Sequence, residues 1–350
     1  MYGSIRQRPE VWKRFTANGD EFNQHSYVDS YCNLEKHDIR EILSPDASMM
    51  LVENGLKVEL PDERRFGVCL THDIDDIYPP FHHTLLSMLH SVKGANLEQL
   101  KKHSLWRFNG KHESPYLNFR EIMDIEEEYG AKSSFYFLTA EKDPRRFRYN
   151  IEDAGTYMGE IVDRGWEVGL HGGYYSYDNY EEMVREKQRL ENVLGRPVIG
   201  FRNHYLRMKI NQSWKMLSKA GFKYDTTLGF NNVVGFRNGM CHPFRPYDTE
   251  ESRALDILEI PLNIMDIALF EYTDSFSQAW EMAKQILDTG AKYNGVITVL
   301  WHNNIFSSPN LKDWKKLYVK ILDYCNQKNA WITSCGDMYE WWRNADINYP

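Results

Sequence analysis

Residues 69–80, "CLTHDIDDIYPP", place three carboxylates, Asp73, Asp75 and Asp76, within four positions directly after an apolar run. In an extended segment side chains alternate, so Asp73 and Asp75 share a face with Ile74 opposite. Two carboxylates held together cannot both stay ionised cheaply unless a cation sits with them. An isolated Asp cluster more often caps a turn, but three further stretches shift that balance. "WEVGLHGGYY" (166–175) ends an apolar run in His171 and two glycines, which would let backbone approach a ligand closely. "VIGFRNHY" (198–205) ends in Arg202 and His204, two apart and therefore on one face, and "GVITVLWHNN" (295–304) carries His302. A lone His at a strand end is usually a satisfied core or turn residue. Three of them together with an Asp pair and an Arg suit metal-assisted hydrolysis, with imidazole and carboxylate ligands for a divalent ion and separate groups for proton transfer.

Alternating strands and helices must position these residues. "FGVCLT" (66–71), "SSFYFLT" (133–139), "WEVGLH", "VIGFR", "GVITVLWH" and "AWITSC" (330–335) read as buried strands. Helical patterns lie between them, at about 81–104, 118–130, 154–165, 180–195, 275–294 and 313–329, that at 154–165 closed by a glycine suited to a left-handed cap. Such alternation makes a parallel sheet. Its extent and the lack of a Gly-x-Gly-x-x-Gly or Walker loop favour a distorted (β/α) barrel of seven or eight parallel strands over an open nucleotide-binding sheet. Between 223 and 263 short pieces such as "FRNG" and "FRPYD" predict a β-rich insertion. Residues 1–60, with a short helix expected in "EKHDIREIL" (35–43), read as an N-terminal extension packed on a barrel domain spanning 61–350. Active sites of parallel barrels gather at the C-terminal ends of the strands, where all the residues above fall.

The 350 residues, 42% hydrophobic and 26% charged, are those of an ordinary globular chain. A net charge of -8 without a long basic run argues against a nucleic-acid partner. No window approaches the roughly 20 apolar residues of a membrane span, and the charged start "MYGSIRQRPEVWKRF" lacks an apolar signal core, so a cytoplasmic location is expected. Five widely spaced cysteines favour free thiols over disulfides or a cysteine zinc site.

Over roughly residues 66–345 the chain resembles the polysaccharide deacetylases, the NodB homology domain of carbohydrate esterase family 4. "THDID" looks like the family's first motif and "HGGYY" like the second, a His-x-x-x-His pair of ligands; "RNHY" resembles the third, Arg-Pro-Pro-Tyr, and "VLWH" the Leu-x-His motif. The resemblance implies that Asp73 is the catalytic base and Arg202 its partner. It likewise implies that the Tyr205 backbone N–H lies in the oxyanion hole and that His302 is the general acid, oriented by Asp266 of "EIPLNIMD". Asp75 and His171 become metal ligands. Tyr175 stands where the second ligand His should be, which leaves the set one short of the three protein ligands usual for catalytic zinc. His204 is the substitute we favour, ahead of Tyr175 itself and of His82 or His83. The implied cofactor is a divalent metal ion, zinc first, with nickel, cobalt or iron as alternatives. The implied partner is a carbohydrate substrate, an N-acyl amino sugar of a surface polysaccharide or its precursor. The competing readings are a degenerate barrel that binds a glycan or a partner without chemistry, and an amidohydrolase acting on a formamide or cyclic amide.

Overall fold

The computed structural model describes residues 2–16, 39–94, 96–345 and 347–350. Its strands are β1 (Phe66–Ile74), β2 (Ser134–Leu138), β3 (Glu167–Gly172), β4 (Gly200–Asn203), β5 (Tyr224–Asp225), β6 (Tyr247–Asp248), β7 (Arg253–Ala254), β8 (Leu258–Glu259), β9 (Leu262–Met265), β10 (Val296–Leu300) and β11 (Ala330–Thr333). All but β6 and β7 form one parallel sheet in the order β8-β5-β4-β3-β2-β1-β10-β9, with β11 also against β1. β1 is buried along its whole length and has three neighbours. β10 lines one side, while on the other β11 pairs with Phe66–Cys69 and β2 with Thr71–Ile74.

The two ends of this sheet are consecutive pieces of one extended run, because β8 stops at Glu259 and β9 starts at Leu262. Pro261 has no N–H to give to a ladder, so the run breaks there, leaving β8 on β5 and β9 on β10. The chain thereby carries the sheet round into a distorted barrel. Of the short pieces between 223 and 263, β5 and β8 belong to this sheet, and β6 and β7 make a separate antiparallel hairpin.

Helices cover the outside of the sheet for reasons visible in their residues. Helix Phe276–Lys292 is capped by the Ser275 side chain, which accepts from the Gln278 N–H, and buries Ala279, Ala283, Ile286, Leu287 and Gly290 on one stripe. Gly290 is needed there: a Cβ would lie 2.5 Å from the Ile297 side chain. Helix Tyr180–Leu194 starts at an Asn179 cap and ends at Gly195 with φ 76. The helical stretch expected at 81–104 is two helices, Phe81–Lys93 and Leu97–Asn109, parted at Gly94. Near the N-terminus, Tyr2, Ile5, Val11 and Phe15 join the same apolar core as the barrel strands, and the Tyr2 hydroxyl donates to the Arg245 carbonyl. Part of the helix expected at 35–43 lies outside the described residues, and Ile39–Ile42 is helical. Cys69, Cys241, Cys325 and Cys335 are buried free thiols, and Cys32 lies outside the described residues.

His72, between the chemically suggestive residues of β1, faces away from them. Its ring runs from the Trp301 carbonyl to Glu126, a fully buried carboxylate on helix Phe119–Glu127 that also accepts from Tyr318, Ser133 and Trp166. Burial works against charge on Glu126, but His72 and these donors hold its carboxyl below the ordinary range. Its contribution to stability is therefore complete above the unfolded pKa of about 4.3 and fades as pH falls through the lower folded value. Glu126→Gln should cost roughly 3 kcal/mol at neutral pH and flatten the acid limb of a urea-unfolding profile. An unchanged acid limb would show that this network does not carry that dependence.

Candidate metal centre and active site

The C-terminal ends of the parallel strands bring the chemically capable side chains together. His171 in β3 and Arg202 in β4 are paired in register, so they project from the same face of the sheet. Arg202 is completely buried, and its guanidinium is spent on four bonds. Nη1 donates to Asp73 Oδ1 at 3.0 Å and to Thr71 Oγ1 at 2.8 Å, while Nε and Nη2 donate to the carbonyl and hydroxyl of Thr226, both at 3.0 Å. The buried pair thus crosses the interior from β4 to β1 and fixes the position of Asp73.

Past the end of β1, Asp75 Oδ1 lies 3.3 Å from His171 Nε2 and 3.2 Å from His204 Nδ1, and those two nitrogens are 3.0 Å apart. His171 Nδ1–H donates to the Arg202 carbonyl at 3.0 Å, which leaves Nε2 as a lone pair facing this centre. His204 Nε2 stands 3.3 Å from Arg148 Nη2 and 3.4 Å from Asp143 Oδ2; in the tautomer that donates to Asp143, Nδ1 faces inward as a second lone pair. Asp75 Oδ1 is buried without a hydrogen-bond partner. Ligands about 2.1 Å from a common ion stand about 3.0–3.4 Å apart at octahedral to tetrahedral angles, so this spacing, the orphaned oxygen and the one-carboxylate, two-imidazole donor set fit a divalent transition metal. Among the described residues this is the one group of three or more His, Cys, Asp or Glu placed to hold an ion. Burial raises the Asp75 carboxyl, but His204 and His171 hold it well below its ordinary value. Burial lowers His204, but Asp75 and Asp143 lift it.

His302, two residues past β10, donates from Nδ1 to Asp266 Oδ1 at 2.8 Å, and its backbone N–H donates to Asp266 Oδ2 at 2.7 Å. Asp266 directly follows β9 and opens helix Asp266–Tyr272. Burial lowers the His302 imidazole, but Asp266, with smaller contributions from Asp75 and Asp73, lifts it to about 10. Tyr205 and Leu206 follow His204 in the left-handed region, at φ 59 and φ 51. Two consecutive non-glycine residues held there cost on the order of 1–3 kcal/mol each, a strain that clusters at functional sites.

Other candidates fall elsewhere. Tyr175 is half exposed with its ring against Tyr174, His82 is exposed, and His83 Nδ1 bonds the Tyr116 hydroxyl at 3.0 Å. The two glycines after His171 leave room for protein and not for a ligand: a Cβ on Gly172 would meet the Phe201 ring at 2.3 Å, and one on Gly173 would meet the Glu186 carboxyl at 2.4 Å. Sequence reasoning missed Asp143, Arg146 and Arg148, in the loop after β2. Arg146 and Arg148 both pair with the buried Asp76, and Arg148 also reaches Asp143 at 3.4 Å and the Tyr205 hydroxyl at 3.0 Å. Burial works against Asp143, but His204, the Arg145 N–H and Arg148 keep it ionised. The signal was available, because "EKDPRRFRYN" is dense in charge and sits at a strand's C-terminal end.

Solved structures share this architecture. A Mycobacterium smegmatis protein described as a polysaccharide deacetylase matches with a TM-score of 0.56 and 16% identity, over 84% of this chain and 96% of the other. A Pseudomonas aeruginosa protein described in the same terms matches with a TM-score of 0.52 and 12% identity, over 91% and 99%. The chain has the polysaccharide deacetylase fold. An allantoinase shares the same barrel, with a TM-score of 0.54 and 12% identity over 91% of this chain and 98% of that one. No protein-family model and no curated protein matches the deacetylase-fold chain by sequence.

Elemental analysis of the purified protein should find about one divalent transition metal per chain. His171→Ala and His204→Ala should each remove most of it, Asp143→Asn should weaken affinity roughly 10- to 100-fold, and Tyr175→Phe should leave it unchanged. Full occupancy in both His variants would refute the ligand set.

Proposed function

We propose that this chain is a metal-dependent hydrolase that removes an N-acyl group, N-acetyl in the first instance, from an amino sugar of a surface polysaccharide or its precursor. The observation that carries the reading is the placement of two differently supported proton-transfer groups, Asp73 on Arg202 and His302 on Asp266, around the Asp75–His171–His204 centre. When bound at those three residues, a divalent cation supplies Lewis-acid polarisation of an amide carbonyl and of water.

The chain's own residues account for the rest of the hydrolysis. Asp73, aimed by its bond from Arg202, accepts a proton from the attacking water. The backbone N–H of Tyr205, set by its left-handed conformation, donates to the developing oxyanion. His302 gives a proton to the departing amine nitrogen; its bond to Asp266 occupies Nδ1 and leaves Nε2 as the acid. A second reading, the opening of a cyclic amide, uses the same groups on another C–N bond and draws support from the likeness to an allantoinase.

Release of acetate from N-acetylhexosamine substrates by metal-loaded protein, beside a cyclic amide, tests both readings. Asp73→Asn and His302→Ala should each lower kcat by roughly 10²–10⁴ with the metal retained. If both variants keep full activity, the scheme fails.

A general acid works only while protonated, so activity falls as pH rises through the His302 pKa. Asp266→Asn removes the main contribution lifting that value and should move the alkaline limb of the kcat profile to lower pH. An unmoved limb would separate His302 from the acid step.

A further inference from the structure

Helix Phe81–Lys93 is built inside out. Its buried positions are Thr84, Ser87 and Ser91, while Phe81, Leu85, Leu86, Leu89 and Val92 are 46–75% exposed. At 100° per residue those five side chains fall within an arc of about 140°, so they form one continuous apolar face. The inward hydroxyls are satisfied along the helix, Ser91 by the Ser87 carbonyl and Thr84 by that of Pro80. The partner helix, Leu97–Asn109, adds Leu97, Leu105 and Phe108, exposed at 70%, 43% and 87%. Of the eleven large apolar residues exposed among the described residues, eight thus lie on this one hairpin, a concentration that scattered surface residues do not produce.

Charge indicates what covers the face. The segment 81–109 carries Lys93, Lys101, Lys102 and Arg107 against a single acid, Glu98, in a chain of net charge -8. A second copy meeting this face through a two-fold axis would bring like charges together. A bilayer with anionic headgroups complements both features, since interfacial helices bind by burying an apolar face while cations meet the lipid phosphates. The hairpin is also seated firmly at the site's mouth. Ile77 to Pro80 connect it directly to the acidic end of β1, Arg107 donates to the Pro79 carbonyl, and His103 Nε2–H donates to the Ser307 carbonyl just beyond His302.

We propose that the 81–109 hairpin docks this protein on an anionic membrane surface, holding the mouth of the barrel at the headgroup layer. Each helix is 13 residues long, and among the described residues none is long and apolar enough to cross a bilayer, so the contact is interfacial.

Sedimentation of the full chain with vesicles tests this without reference to catalysis. Vesicles of phosphatidylglycerol and phosphatidylethanolamine should carry down most of the protein at about 1 mM lipid, whereas phosphatidylcholine alone should carry down little, and raising the salt should weaken binding several-fold. Leu89→Ser and Phe108→Ser should each reduce partitioning roughly tenfold, and Lys101→Glu with Lys102→Glu by a similar factor. The melting temperature should hold in all of them, because these side chains are exposed. No sedimentation with anionic vesicles, binding indifferent to these substitutions, or a dimer that Phe108→Ser converts to monomer would each overturn the proposal.

Discussion

The buried Arg202–Asp73 ion pair constrains the whole C-terminal end of the parallel strands. A fully buried guanidinium is tolerable only if its donors are satisfied and its charge is balanced, and removing either partner would leave an uncompensated charge in the interior. Thr71, Asp73 and Thr226 meet that demand from β1 and from just beyond β5. The Arg202 carbonyl in turn orients His171, so one residue sets both the position of Asp73 and the tautomer of a metal-ligand candidate.

Negative charge is then distributed with a partner for each member. Asp73 has Arg202, Asp76 has Arg146 and Arg148, and Asp266 has His302. Asp75 Oδ1 faces the imidazoles of His171 and His204, with the Arg148 guanidinium as a further positive charge, and the inward nitrogens are lone pairs when His171 donates to a carbonyl and His204 donates to Asp143. Three electron-rich atoms 3.0–3.3 Å apart repel one another unless a proton or a cation lies between them. A Tyr at position 175 is thereby compatible with a three-residue candidate centre, its second imidazole coming from the turn after β4 instead of the loop after β3.

The fold was legible because strand and helix periods are local. β1, β2, β3, β4, β10 and β11 overlap the apolar runs that mark them, and Gly165 follows its helix in the left-handed conformation anticipated for it, at φ 87. The two-residue strands β5 and β8 were legible only as irregular, since their place in the sheet depends on neighbours distant in sequence. The role of Gly172 and Gly173 was misread for the same reason: the atoms that exclude a Cβ belong to Phe201, Ala140 and Glu186, which no local pattern places beside them.

The sequence by itself determined the alternation of strands and helices, and hence which residues stand at strand ends, because side-chain periodicity and the parallel βα order are written along the chain. Only the tertiary structure decided that His204 joins Asp75 and His171 while Tyr175 turns outward, that the loop with Asp143 and Arg148 supports them, and that a helix with polar residues inside leaves its apolar face uncovered. Those outcomes depend on register between strands and on charges meeting across the barrel mouth, distances that a linear chain does not contain until it is folded.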